Sequence, residues 1–140
     1  MNEIFFVGRL VFGGYLLFEG STHFTQVSAL TAAAAQKGVP FPMAAVLITG
    51  VLLLIAGVTF TLGIAPRLGM VALVTFLLPA TFVMHAFWRE EGSARVLDFS
   101  HFTKNLGLLG ATLMVAAIPM PWPHSARPHE HLAPPHGRTV

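Results

Sequence analysis

Glu19 and His23 stand one helical turn apart at the end of an apolar run, His85 and Arg89 repeat that spacing at the end of another, and His101, Lys104 and Asn105 open a third. A carboxylate and an imidazole on one helix face can pass a proton. His, Lys and Asn side chains can donate hydrogen bonds to carbonyl oxygens. Trp88, with Phe87 and Phe102 close to it in the pattern, offers aromatic faces for a flat ring. Together these are the needs of a quinone: donors for two carbonyls, a proton route and an apolar slot. On this reading Glu19 and His23 form a proton relay, the catalytic pair, and His85, Trp88, Lys104 and Asn105 bind the ligand. A plainer reading stands beside it, in which the same groups are a salt-bridge network at the helix ends, Trp88 belongs to the aromatic belt and Asn105 ties two helices together.

The elements that must position these groups are four apolar runs, at about residues 4–23, 41–62, 68–88 and 102–120. At about 1.5 Å per residue each is long enough for a hydrocarbon core of about 30 Å. Composition agrees: 54% of residues are hydrophobic, 10% are charged and mean hydropathy is +0.70, against about a quarter charged in a soluble domain. The expected fold is all-α, a polytopic membrane protein built as an antiparallel bundle of four transmembrane helices. Between the first two spans, Thr25 to Lys37 carries Val27, Leu30 and Ala34 at helical spacing and reads as a short interfacial helix. Gly63 to Arg67 allows only a tight hairpin, and Arg89 to Ser100, with its mixed charges, reads as a solvated loop. The transmembrane domain is expected over 1–120, with a Pro- and His-rich, disordered tail over 121–140.

Four crossings bring the first and third loops to one side, and Glu19, His23, His85, Arg89, Lys104 and Asn105 with them. Ionisable groups converging at one membrane depth are a functional-site hypothesis. Arg9 falls at the opposite end, beside Arg67 in the hairpin, where it is expected to snorkel toward headgroups, and Arg89 reads as an interfacial anchor. Glycines and alanines supply close packing: Gly13, Gly14 and Gly20, Gly50 and Gly57, then Gly107, Gly110 and Ala111.

Other chemistries are excluded or disfavoured. Eight Lys and Arg against six acids give a pI near 9.7, but the basic residues are scattered, so no nucleic-acid partner is indicated. With no cysteine the chain has no thiolate or iron–sulfur site of its own. There is no flavin or metal motif; the tail histidines His124, His129, His131 and His136 are irregularly spaced, and haem between His23 and His85 is poorly placed near the interface. The first run lacks a basic start and is broken by Arg9, Glu19 and His23, so it reads as a retained helix. Lys and Arg tie at four on each side, and cytoplasmic termini follow only from giving weight to Arg67 in its short loop.

The order of Arg9, Gly20, Gly38-Val39-Pro40-Phe41-Pro42, Gly57, Leu62-Gly63 with Arg67, His85-Ala86-Phe87-Trp88 and Lys104-Asn105-Leu106 resembles the DoxX family over nearly all of residues 4–120. The resemblance implies a four-helix bacterial or archaeal inner-membrane protein, linked in some members to quinone-coupled sulfur oxidation and in others to oxidative stress. It differs from the family pattern in having His23 where a lysine is usual and Leu53 where an acid is common, with Glu19 able to supply a carboxylate from the first helix. The expected function is a quinone-interacting redox subunit that takes electrons from a partner subunit, with quinone as the one cofactor implied and the lipid bilayer or a second copy as further partners. The alternatives are an anchoring subunit of a larger membrane complex and a small-solute carrier, the last disfavoured by the lack of an evident repeat.

Overall fold

The computed structural model describes residues 1–126. Its helices are α1 (Asn2–Thr25), α2 (Val27–Gln36), α3 (Pro42–Leu62), α4 (Pro66–Pro79) and α5 (Gly92–Ala116). A π-helical turn at Ala80–Met84 and a 3₁₀ turn at Phe87–Arg89 join α4 to α5. No strand occurs among the described residues, and the chain folds as an all-helical membrane protein. Three segments have the length and hydropathy to cross a bilayer: Asn2–Thr25, Pro42–Leu62 and Pro66–Arg89. α5, at 25 residues, has the length but spends its first turns on charged and polar side chains.

Local chemistry sets the boundaries. The interfacial helix α2 stops where Gly38 takes φ +75°, a backbone region that glycine enters without strain. Its N–H and that of Val39 close back on the carbonyls of Ala35 and Ala34. Pro42 and Pro66 each occupy the first turn of a helix, where the missing N–H costs nothing. The hairpin between α3 and α4 turns on Gly63 at φ +70°.

α1 packs on α3, α3 on α4 and α4 on α5, while α2 lies across the loop end of α3. The core runs through Leu16, Leu53, Ala56, Phe60, Leu73 and Leu77, all at 1% exposure or less. Close approach of α1 and α3 depends on Gly13 and Gly57. A Cβ on Gly57 would lie 2.9 Å from the Leu17 backbone N, and one on Gly13 would lie 2.9 Å from the Thr61 N. Gly20 and Gly50 are similarly enclosed. Gly14, Gly107 and Gly110 are not: a Cβ at each meets nothing within 4 Å, so the expectation that they pack helices is corrected. They lie on faces turned away from the neighbours that the topology provides.

Three further expectations change. Of the solvated loop expected over 89–100, residues 92–100 instead form the first turns of α5, which begins at Gly92 and takes Arg95 and Asp98 into the helix. The tail does not begin at 121. Trp122 is 3% exposed in the core, packed edge-on to Phe5, and Ala126 N–H bonds to the Leu62 carbonyl at 3.0 Å. The rest of the expected disorder, with His129, His131 and His136, lies outside the described residues. Arg9 does not reach for headgroups. It is 5% exposed and its two terminal nitrogens donate to the carbonyls of Pro123 and His124, at 2.9 and 3.0 Å. Backbone carbonyls without helical partners satisfy it better than an outward path, since a buried guanidinium needs acceptors.

Candidate functional site

At the loop end, α4 cannot continue to His85 as a regular helix. Pro79 lacks the N–H that Thr75's carbonyl would accept, and the following turn widens, with His85 N–H reaching the Ala80 carbonyl five residues back. The Thr81 hydroxyl takes the Leu77 carbonyl and is fully buried. The expected row of Thr81, His85 and Arg89 on one face is therefore broken: Thr81 points into the core, Arg89 is exposed, and His85 turns toward α5.

There His85 meets His101, one of the expected polar groups, and Asp98, which lay in the expected loop. Its Nδ1 lies 3.2 Å from Asp98 Oδ1, and its ring stacks on His101 at 4.8 Å between centroids. Asp98 Oδ2 accepts from Lys37 Nζ at 2.7 Å, and the same ammonium donates to Glu90 Oε1 at 2.6 Å. Lys37 thus joins the end of α2 to the 3₁₀ turn and to α5. Hydrogen bonds to Asp98 and then Glu90 raise its pKa above the ordinary lysine value, against burial, which lowers it. Asp98 was missed because charges around it suggested a loop. Its signal was the spacing to Asn105 and Thr112, seven residues each: all three are buried on one face of α5.

The aromatic groups do gather. Phe87 lies 5.2 Å from both Trp88 and Phe102, and Trp88 lies 5.8 Å from Phe102, all edge to face. Their edges and faces are engaged with one another, a packing geometry aromatic pairs favour. Trp88 itself is half exposed.

Glu19, His85 and Lys104 go to three different surroundings. Lys104 is exposed at the mouth of a groove between α1 and α5 with Gly8, Phe12, Tyr15 and Leu108. Asn105, beside it in sequence, turns inward and is 6% exposed. Glu19 is half-buried on α1, and what reaches His23 is its backbone carbonyl, 3.0 Å from Nδ1, rather than its carboxylate. A carbonyl only accepts, so a hydrogen bond here needs a proton on Nδ1. The one polar atom left for His23 to offer is Nε2.

His23 lines a cavity of about 310 Å³ beneath α2. Ala34, Val46, Phe76, Ala80 and Met84 contribute to its walls, and Phe76 stands edge-on to the imidazole at 6.0 Å. The π turn forms one side, so the irregularity imposed by Pro79 shapes this space as well as the path of His85. Arg67 is exposed in the first turn of α4, at the opposite end.

An all-helical membrane protein with a polar cluster at one bundle end is what these elements define. The DoxX family model matches residues 4–86, and the chain belongs to the DoxX family. The matched span contains Arg9, Glu19, His23 and His85 but stops before Asp98, Lys104 and Asn105. No curated protein and no solved structure matches the chain.

Proposed function

We propose that this DoxX-family membrane protein is a quinone-interacting redox subunit that exchanges electrons with a partner, and that the cavity beneath α2 receives the quinone ring. The observation that carries this reading is the placement of His23. With Nδ1 against the Glu19 carbonyl, Nε2 is the ring nitrogen left to a ligand, on an imidazole that borders a largely apolar cavity of about 310 Å³. When Nε2 carries a proton it donates to a quinone carbonyl and gives that proton up as electrons arrive from the partner, the reverse transfer serving a quinol. The volume is at the lower end of small-molecule sites, about 300 Å³ and above, and suits a ring headgroup with its chain outside. Here His23 is the proton-transfer group, and Glu19 orients the imidazole through its backbone carbonyl. His85, Lys104 and Asn105 then act outside the cavity, His85 as a positioning group tied to Asp98.

The test is quinone content. Protein purified in mild detergent is extracted and its quinone quantified, then the measurement is repeated with His23→Ala and Lys104→Ala. The reading expects bound quinone in the parent and in Lys104→Ala and its loss in His23→Ala. Quinone equally retained by His23→Ala, or absent from the parent after supplementation, sinks it.

A second reading, an anchoring subunit in a larger complex, is favoured by the open face of α5 at Gly107 and Gly110, where another helix could approach closely. Cross-linking from cysteines placed at those two positions, with a co-purifying polypeptide and no quinone, would select it.

A further inference from the structure

Helix α2 and the turn after it form one wall of the cavity that His23 borders, through Leu30, Ala34, Gly38, Val39 and Pro40. The π turn supplies another, through Ala80, Val83 and Met84. α2 packs on α3 and α1, with Ala34 seated at 3% exposure. One side chain bonds this wall to the chain beyond α4. Among the described residues, the hydrogen bonds from 26–41 to that part of the chain all come from Lys37 Nζ, to Glu90 Oε1 and to Asp98 Oδ2. Lys37 is the residue that ends α2, so both bonds hold the end of the helix nearest the cavity turn.

The wall is jointed at each end. A single non-helical residue, Gln26 at φ −117° and ψ 27°, separates it from α1. Beyond Lys37, Gly38 is at φ +75° and Phe41 at φ +50°, a region that glycine enters freely and a bulky side chain does not. Domain and segment hinges are built from a few element-terminal residues that absorb changes in backbone angle in this way. The side chains of Lys37, Glu90 and Asp98 are 25%, 30% and 13% exposed, so water competes for both ion pairs and they hold by a small margin.

We propose that α2 is a hinged lid on the cavity and that Lys37 latches it shut through Glu90 and Asp98. When the latch releases, the end of α2 and the Gly38–Pro40 turn move away from the π turn and the cavity opens to a ligand. The proposal rests on the quinone reading only for what that ligand is.

The chain has no cysteine, so one introduced thiol reports on the lid with no quinone present. Thr49→Cys puts a thiol in the cavity wall, and Ala56→Cys puts one in the core at a position of 0% exposure. Reaction with N-ethylmaleimide is timed for each in full-length protein in mild detergent, with Lys37 present and with Lys37→Met. The cavity thiol should react about fivefold faster without the latch, and the core thiol should not change. Lys37→Arg, which keeps the charge, should keep the slow rate. Glu90→Gln, which removes one of the two pairs, should give a rise of about twofold. A cavity thiol whose rate ignores Lys37→Met and Glu90→Gln overturns the proposal, and so does equal acceleration of both thiols, the mark of general loosening. A latched cavity that holds no quinone counts against the quinone reading alone. Quinone bound in a cavity whose thiol is indifferent to Lys37 counts against the lid alone.

Discussion

Lys37 Nζ and Asp98 Oδ2 are 2.7 Å apart, although 61 residues separate them in sequence. This one contact closes α2 over the loop end of the bundle and fixes the start of α5. Asp98 also bonds His85, so a single carboxylate holds three elements. Asp98→Asn should lower stability by about 1–3 kcal/mol, less than a fully buried pair because both partners keep some access to water. Thermal unfolding in detergent measures it, and Glu90→Gln, at a carboxylate more exposed than Asp98, should cost less.

The raised pKa of Lys37 fixes where that pair fails. A cation stabilised by folding contributes fully below its unfolded value, about 10.4, and loses the contribution as pH rises through its higher folded value. The pair should therefore hold from neutral pH to beyond pH 10. Parent and Lys37→Met proteins should differ in melting temperature by a constant amount between pH 7 and 9, and the difference should shrink only above about pH 10.5. A difference that vanishes near pH 8 would contradict the geometry.

Glycines of the first helix should separate into two kinds. Gly13 sits where a Cβ would collide with the Thr61 hydroxyl and approach the Gly57 carbonyl at 3.0 Å, whereas Gly14 faces open space. Gly13→Val should cost about 2–3 kcal/mol through overpacking and Gly14→Val less than about 1 kcal/mol. Unfolding by denaturing detergent compares them directly.

Removal of the Trp122 ring should be costly. It packs on Phe5 and Phe60, and its chain neighbours give Arg9 its carbonyls. Trp122→Ala should lose about 3 kcal/mol or more, and protease should then cut near residue 123 faster than in the parent. Unchanged proteolysis would show that the segment packs independently of its ring.

Much of this architecture was legible in the chain. Four runs of apolar residues name the bundle, because a polar backbone in hydrocarbon must form helices and each helix must be long enough to cross. Gly38 and Pro42 mark the ends around α2, and Gly63 with Pro66 marks the hairpin, through backbone preferences that act locally. The polar residues at the loop end were visible for the same reason, since any charge stands out in so apolar a chain.

What stayed hidden depends on partners distant in sequence. Arg9 reads as a snorkelling residue until the segment after Met120 folds back and supplies two carbonyls. Asp98 reads as a loop charge until Lys37 and His85 come to it from α2 and the π turn. Glu19 and His23 share a helix face as their spacing requires, yet the Glu19 carbonyl, not its carboxylate, meets the imidazole. Helix formation follows from local sequence and the cost of an unpaired backbone in lipid. Which side chains meet follows from how the helices are arranged, and composition does not encode that arrangement.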